Sequence, residues 1–261
     1  MNKRLFTIFA AMMLAHVVAF SQSADFYGVV HLGGNVPVGN FGKATVNNGV
    51  VEKWGLADES PFGGAGIGAN AELLGAKRIR GIEELSVFLS ANFFFSPLNK
   101  TLRNYREQHE VEYFNSHDKY EQKFPVYFNI PLYAGCRYDF YTSNRDISIY
   151  GQAGIGANLR IITDFSYNWN MYKHSSEADS YVEEYRNKVA FAAMAGAGVI
   201  FLNHIQIGLY YHYLGTSRVI SNSTQVYHSP SERDIFETTE KAHSRGLLTP
   251  HILSLTVGYV F

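Results

Sequence analysis

Glu72, Glu84, Arg137, Asp139 and Arg160 share one property: each lies on the small or polar side of a stretch whose alternate residues are apolar. If those stretches are β-strands, residues two apart share a face, and all five charges point away from the Leu, Ile and Val side. Charges gathered in that way either form an ion pathway or neutralise one another in a closed interior. An unpaired buried charge costs several kcal/mol, so pairing is the expectation. The expected contact is Glu84 with Arg137, with Glu72 and Asp139 nearby. Arg160 lies at the far end of its stretch.

Other candidates for chemistry are weaker. Ala65-Gly-Ile-Gly-Ala-Asn70 recurs as Ala153-Gly-Ile-Gly-Ala-Asn158, with a looser copy at Ala195-Gly-Ala-Gly198. A phosphate-binding glycine loop must follow a strand and open a helix. These glycines instead recur every second residue within strand-like stretches, which suits packing in a narrow interior. Of the ten histidines, His109, His117, His174, His228 and His243 lie in or near long polar connections. No pair has His-x₃-His spacing, so metal binding is not expected. No cofactor is implied either. His212-Tyr213-Leu214 and His243-Ser244-Arg245 are the nearest approaches to a nucleophile with its base, and neither places Ser and His on one strand face.

The elements that would hold these residues are strands. Eight stretches alternate apolar and small or polar residues: 25–37, 62–75, 82–96, 124–140, 146–161, 188–201, 204–215 and the terminal run 249–261. The run Phe124, Val126, Phe128, Ile130, Leu132, Ala134, Cys136, Tyr138, Phe140 is the cleanest apolar file, although Pro125 and Pro131 are unusual inside a central strand and predict a bulge or a break at Pro131. The connections alternate long and short. Residues 76–81 form a short basic turn, 141–145 a short connection and Leu202-Asn203 a tight turn, whereas the other four connections are long. That is the organisation of an all-β, eight-stranded, antiparallel up-and-down transmembrane β-barrel, with short periplasmic turns and long extracellular loops. A soluble barrel of the lipocalin kind would carry its polar residues outside, opposite to the pattern here.

Composition agrees. Lys3 and Arg4 precede an apolar run from Leu5 to Phe20 and small residues at Ala19 and Ser21, so residues 1–21 read as a secretory signal peptide and 22–261 as the barrel domain. The only cysteine is Cys136, which excludes an internal disulfide and a lipoprotein box. A net charge of −1 gives no electrostatic case for nucleic acid. No later stretch has the length and apolarity of a transmembrane helix.

Gly33-Gly-Asn-Val-Pro-Val-Gly-Asn-Phe-Gly42, Asn129-Ile-Pro-Leu132 and the terminal Tyr259-Val-Phe261 give a chain that resembles the small outer-membrane barrels of the OmpA/OmpX type, and the exported barrel families common in Bacteroidetes. The resemblance covers the whole of 22–261. It implies location in the outer membrane of a Gram-negative bacterium, a monomer, and a terminal strand read by the outer-membrane assembly machinery through Tyr259 and Phe261. Deleting Phe261, or making it charged, is expected to lower insertion, measured as loss of surface-exposed loops. Lipid A deacylases among such barrels carry His-x-Ser on a late strand, which is missing here. The resemblance implies outer-membrane lipids and lipopolysaccharide as surroundings. The remaining roles are structural or interactive, through an extracellular or envelope protein partner of the loops, with a narrow porin-like channel, an accessory barrel of a secretion apparatus or a lipid A-modifying enzyme as alternatives. Trp54, Trp169 and several loop tyrosines suit such contacts or extend the strands above the membrane as hairpins. Val182–Arg186 and Gln108–Tyr113 are candidate extensions.

Overall fold

The computed structural model describes residues 25–42, 46–47, 50–51, 64–104, 120–142, 146–169, 179–228 and 235–261. The signal segment and Gln108–Tyr113 lie outside them. Eight strands close a barrel: β1 (Phe26–Val38), β4 (Gly68–Ile79), β5 (Ile82–Pro97), β7 (Val126–Tyr141), β8 (Ile147–Ile162), β11 (Lys188–Phe201), β12 (Ile205–Tyr213) and β15 (His251–Val260). Neighbours in sequence pair antiparallel around the ring, and β15 pairs with β1 from Val29↔Val260 to Val38↔His251. The ring therefore has no edge. Two residues each of β2 (Val46–Asn47) and β3 (Val50–Val51) pair with one another in the first long connection.

Strand formation follows the alternation. On β7, Tyr127, Asn129, Tyr133, Arg137 and Asp139 are buried, while Leu132, Ala134, Cys136, Tyr138 and Phe140 are exposed. Two boundaries differ from the sequence pattern. The second barrel strand starts at Gly68, and Ala65 makes only an isolated bridge to Leu98. Its other end runs through Ile79, which shrinks the basic turn to Arg80-Gly81, with Gly81 at φ +89. Pro125 falls in the gap between β6 (Tyr120–Lys123) and β7, where it blocks no ladder bond. At Pro131 the ladder breaks without bulging. The β5–β7 pairs run to Ala91↔Leu132 and resume at Phe94↔Asn129 in the same register, while Pro131 stays paired with Asn158 on β8. A proline has no N–H to donate, so one side of the strand loses its bond and the other keeps it. Leu202 and Asn203 both take positive φ, 53° and 63°, the geometry of a two-residue hairpin turn that matches strand twist.

At the end with the long connections, five barrel strands continue upward. β6, β9 (Phe165–Trp169), β10 (Asp179–Tyr185), β13 (Ser217–His228) and β14 (Ile235–Leu248) form a second sheet in the order β14-β13-β10-β9-β6. The candidate extension at Val182–Arg186 falls within it as far as Tyr185. This sheet is a wall standing over the β7–β8–β11–β12–β15 arc. Among the described residues, β1, β4 and β5 carry no such continuation. Between wall and barrel lies an apolar cap of Phe41, Leu98, Leu102, Tyr127, Phe165, Tyr185, Leu214, Val219 and Leu248, all buried. Phe41 meets Tyr127 edge-on at 5.3 Å. Burial in this cap holds the Tyr185 phenol well above its ordinary pKa range, so it stays uncharged.

Candidate functional site

The outer face decides what surrounds the barrel. Leu32, Leu89, Leu132, Ile155, Val189, Leu209, Leu255 and Val257 all point outward and are largely exposed. An apolar belt right around a protein cannot face water. Rings border the belt on both sides. Tyr138, Phe140, Tyr259 and Phe261 lie at the end with the short turns, where Tyr259 stacks on His204 at 5.4 Å and meets Phe261 at 5.1 Å. Phe93, Phe95 and Phe128 cluster near the other end, as do Phe191, Tyr211 and Tyr213 around the strand. Strands of 9 to 16 residues are long enough to cross a bilayer with tilt. No helix among the described residues is long and apolar enough to do so.

The interior is the candidate site, and it is full. Nearest the short turns, the buried Arg137 guanidinium donates through Nε to Asp139 at 2.9 Å and through Nη1 to the Gln206 side-chain carbonyl at 3.1 Å. It lies 3.9 Å from the centre of the Tyr150 ring. The Tyr150 and Tyr210 hydroxyls bond to each other, and Gln206 Nε2 donates to Tyr210 at 3.1 Å. One layer up, His31 Nδ1 meets Glu72 at 2.7 Å, and Asn92 donates to the other Glu72 oxygen at 3.1 Å. Beside them, His212 bonds Tyr133 through Nδ1 and Ser254 through Nε2. At the top, Arg160 donates to the Leu248 carbonyl and the Ser217 hydroxyl, close under the apolar cap.

Two sequence expectations about the five charges are corrected. Arg137 does not pair with Glu84. Its partner is Asp139, two residues along the same strand face. Glu84 lies one residue past the last β5–β7 pair, Leu85↔Tyr138, partly exposed at the rim. Glu72 does not join the Arg137–Asp139 contact. The β1–β4 register sets it directly opposite His31, in the layer above Arg137. His31 is the functional-looking residue that sequence reasoning missed, and His212, considered there only as a base beside Tyr213 and Leu214, proves to bond Tyr133 and Ser254. His31 sat on the inward parity of its strand, but no short turn tied its register to that of Glu72. Arg160 is at the outer end of its strand, where the pattern put it.

Lumen glycines, Gly154 and Gly198 of the repeat among them, have a packing role. A Cβ built at Gly208 would lie 2.3 Å from the Tyr150 hydroxyl, one at Gly198 2.4 Å from the same atom, and one at Gly154 3.1 Å from the Phe88 ring. These glycines are the space into which the lumen aromatics fit. Gly208→Ala is expected to destabilise the barrel by about 1–3 kcal/mol through overpacking, read from urea unfolding in micelles. Ser254, His212 and Tyr133 have the connectivity of nucleophile, base and orienting group, but all three are at most 2% exposed and face the packed lumen instead of the lipid. The side chains of His243 and Ser244 lie outside the described residues. Among the described residues, no three His, Cys, Asp or Glu side chains are grouped to hold a metal ion.

A closed eight-stranded antiparallel barrel with an apolar belt between aromatic girdles is a small outer-membrane β-barrel protein, located in the outer membrane. The chain matches no family model and no curated protein. Among solved structures it is similar to Neisserial surface protein A (10% identity, TM-score 0.38, covering 90% of this chain and 95% of that one). It is also similar to Ail, the attachment invasion locus protein of Yersinia pestis (11%, 0.38, 91% and 99%), and to the outer membrane protein OprG of Pseudomonas aeruginosa (13%, 0.40, 91% and 96%). The likeness is one of architecture alone.

Proposed function

We propose that this barrel works as a closed membrane anchor that presents its extracellular wall to a partner, in adhesion or in docking of another envelope component. The observation that carries this reading is the filling of the lumen. Arg137, Tyr133, Tyr150 and Tyr210 occupy the interior at 2% exposure or less, with the apolar cap above them. A sealed lumen leaves the wall as the part able to meet other molecules. Exposed positions there include Glu184 on β10 and residues 236–242 on β14. In this reading the barrel acts without enzymatic chemistry, and the Ser254–His212 pair, buried in the lumen, is out of reach of lipid. It is a monomer in outer-membrane lipids and lipopolysaccharide, delivered by the assembly machinery through Tyr259 and Phe261.

The test has two arms. Photo-crosslinking residues at Glu184 and Phe236 in cells are expected to give discrete protein adducts, and one at the lipid-facing Leu89 none. Planar-bilayer recordings of the purified chain are expected to stay at baseline. A second reading, a narrow channel, is favoured by the polar lining of the lumen, including His31, Asn35, Asn129 and Gln152. A steady single-channel current together with no adducts from the wall would overturn the first reading in favour of the second.

A further inference from the structure

One strip of the outer surface departs from the plain apolar belt. It climbs β12 and β15 onto the base of the wall. Leu209, Leu253 and Leu255 lie lowest and face outward. Above them the Tyr211 hydroxyl bonds His251 Nδ1. The Tyr213 hydroxyl meets Thr216 at 3.3 Å, and Thr216 meets Thr249 at 2.8 Å. Higher still stand two exposed cations, Arg218 on β13 and Arg186 just past the end of β10. We propose that this strip binds a phosphorylated glycolipid of the outer leaflet, with acyl chains on the leucines, sugar on the Tyr–His–Thr tier and phosphate on the two arginines. The proposal rests on the reading of the wall as extracellular.

The middle tier points to a sugar. On the opposite side of the barrel the same border is Phe93, Phe95 and Phe128, whose rings form no hydrogen bonds. Here hydroxyls and an imidazole are gathered at the edge of the belt. The His251 ring lies 5.8 Å from that of Tyr211 and 5.3 Å from that of Tyr213. Its Nε2 has no protein partner among the described residues. Tyrosine at a membrane boundary offers an apolar ring and a wet hydroxyl, and a sugar presents the matching pair of apolar face and hydroxyl rim. The upper tier points to phosphate. The Arg186 backbone N–H donates to the Ile220 carbonyl at 2.9 Å, which continues the β10–β13 ladder past Tyr185↔Ser221. Arg218 is two residues from Ile220, so both arginines stand on the outward side, alternating with the buried Tyr185, Val219 and Ser221. Arg186 reaches the Asn222 side-chain oxygen at 3.4 Å. Glu184, the acidic side chain on that face of β10, is one row farther from the belt. The planar fork of Arg matches phosphate oxygens two at a time. Spacing separates the candidate lipids. Arg218 lies two residues beyond Thr216, about 7 Å along the strand at roughly 3.3 Å per residue. A glycerophospholipid, with phosphate directly on its glycerol, would set that charge on the middle tier, where Tyr211, Tyr213, Thr216, Thr249 and His251 include no Lys or Arg. A lipid with sugar between acyl chains and phosphate reaches the arginines.

Native mass spectrometry of the full chain in micelles tests this with lipid A, its dephosphorylated form and phosphatidylglycerol. Lipid A is expected to bind saturably, and the other two about tenfold more weakly. Arg186→Gln/Arg218→Gln is expected to bind lipid A and its dephosphorylated form equally. Lys100→Gln/Arg103→Gln, exposed after β5 on the opposite side of the ring, is expected to keep the preference. A preference lost while residual binding stays is a result that misfolding does not produce. Absence of saturable lipid A binding, equal binding of either control lipid, or a preference that survives in the Arg186/Arg218 variant would overturn the assignment. The wall is read separately, from the photo-crosslinks at Glu184 and Phe236. Adducts kept while lipid A fails to bind would overturn the lipid site and leave the docking reading in place.

Discussion

Asp139→Ala is expected to destabilise the barrel by about 3–5 kcal/mol, because it strands the Arg137 guanidinium in the lumen. Arg137 is 1% exposed and has one charged partner, at 2.9 Å. Gln206 and the Tyr150 ring remain after the substitution, but neither carries a compensating negative charge. The reverse change is predicted to be milder. Arg137→Met leaves Asp139, which lies nearer the end with the short turns and is the more exposed of the two, at 5% against 1%. The double variant Arg137→Met/Asp139→Ala should recover much of the loss, since an apolar replacement of a whole buried pair is often neutral. Urea unfolding of refolded protein in micelles, arranged as a double-mutant cycle, measures all three. If Asp139→Ala were no worse than an ordinary surface change, Arg137 would have to be solvated, and the closed lumen would be wrong.

The second large effect is at the opposite face of a strand. Leu255→Arg is expected to cost about 2–4 kcal/mol, since Leu255 lies mid-belt, between Leu209 on β12 and Gly34 on β1, with its side chain outward. The same substitution at Phe236, on the exposed wall strand β14, should change stability by less than about 0.5 kcal/mol. Equilibrium unfolding into lipid vesicles separates the two. Equal effects would mean that the belt does not contact hydrocarbon.

Much of the barrel was legible in the sequence because period-2 alternation is a strong signal when one face meets lipid and the other a packed lumen. The apolar file from Val126 to Phe140 and the terminal strand could be read residue by residue. The Leu202-Asn203 turn was legible because only two residues separate two such files. The wall was harder to see. Residues 236–242 of β14 are exposed on both faces, so nothing selects alternate residues and the period vanishes. The start of β4 was misread because Ala65-Gly-Ile-Gly continues the alternation through a segment that makes only one bridge.

The charges show a different limit. Their inward direction follows from parity, but their partners depend on register. A two-residue turn fixes register; the long connection between β1 and β4 does not, so nothing in the sequence placed His31 opposite Glu72. The Arg137–Asp139 contact needed no register at all, being two residues apart on one face, and the more distant Glu84 was preferred to it. Glu84 fails because β5 and β7 stop pairing at Leu85, one residue short of it.

The wall is made from continuations of barrel strands, and this has a mechanical consequence. A pull on the wall, away from the cell, runs along the strand axes into the barrel. Force in that direction loads many ladder hydrogen bonds in shear at once, where a sideways pull would unzip them one by one. A tether built this way resists drag normal to the cell surface better than drag along it.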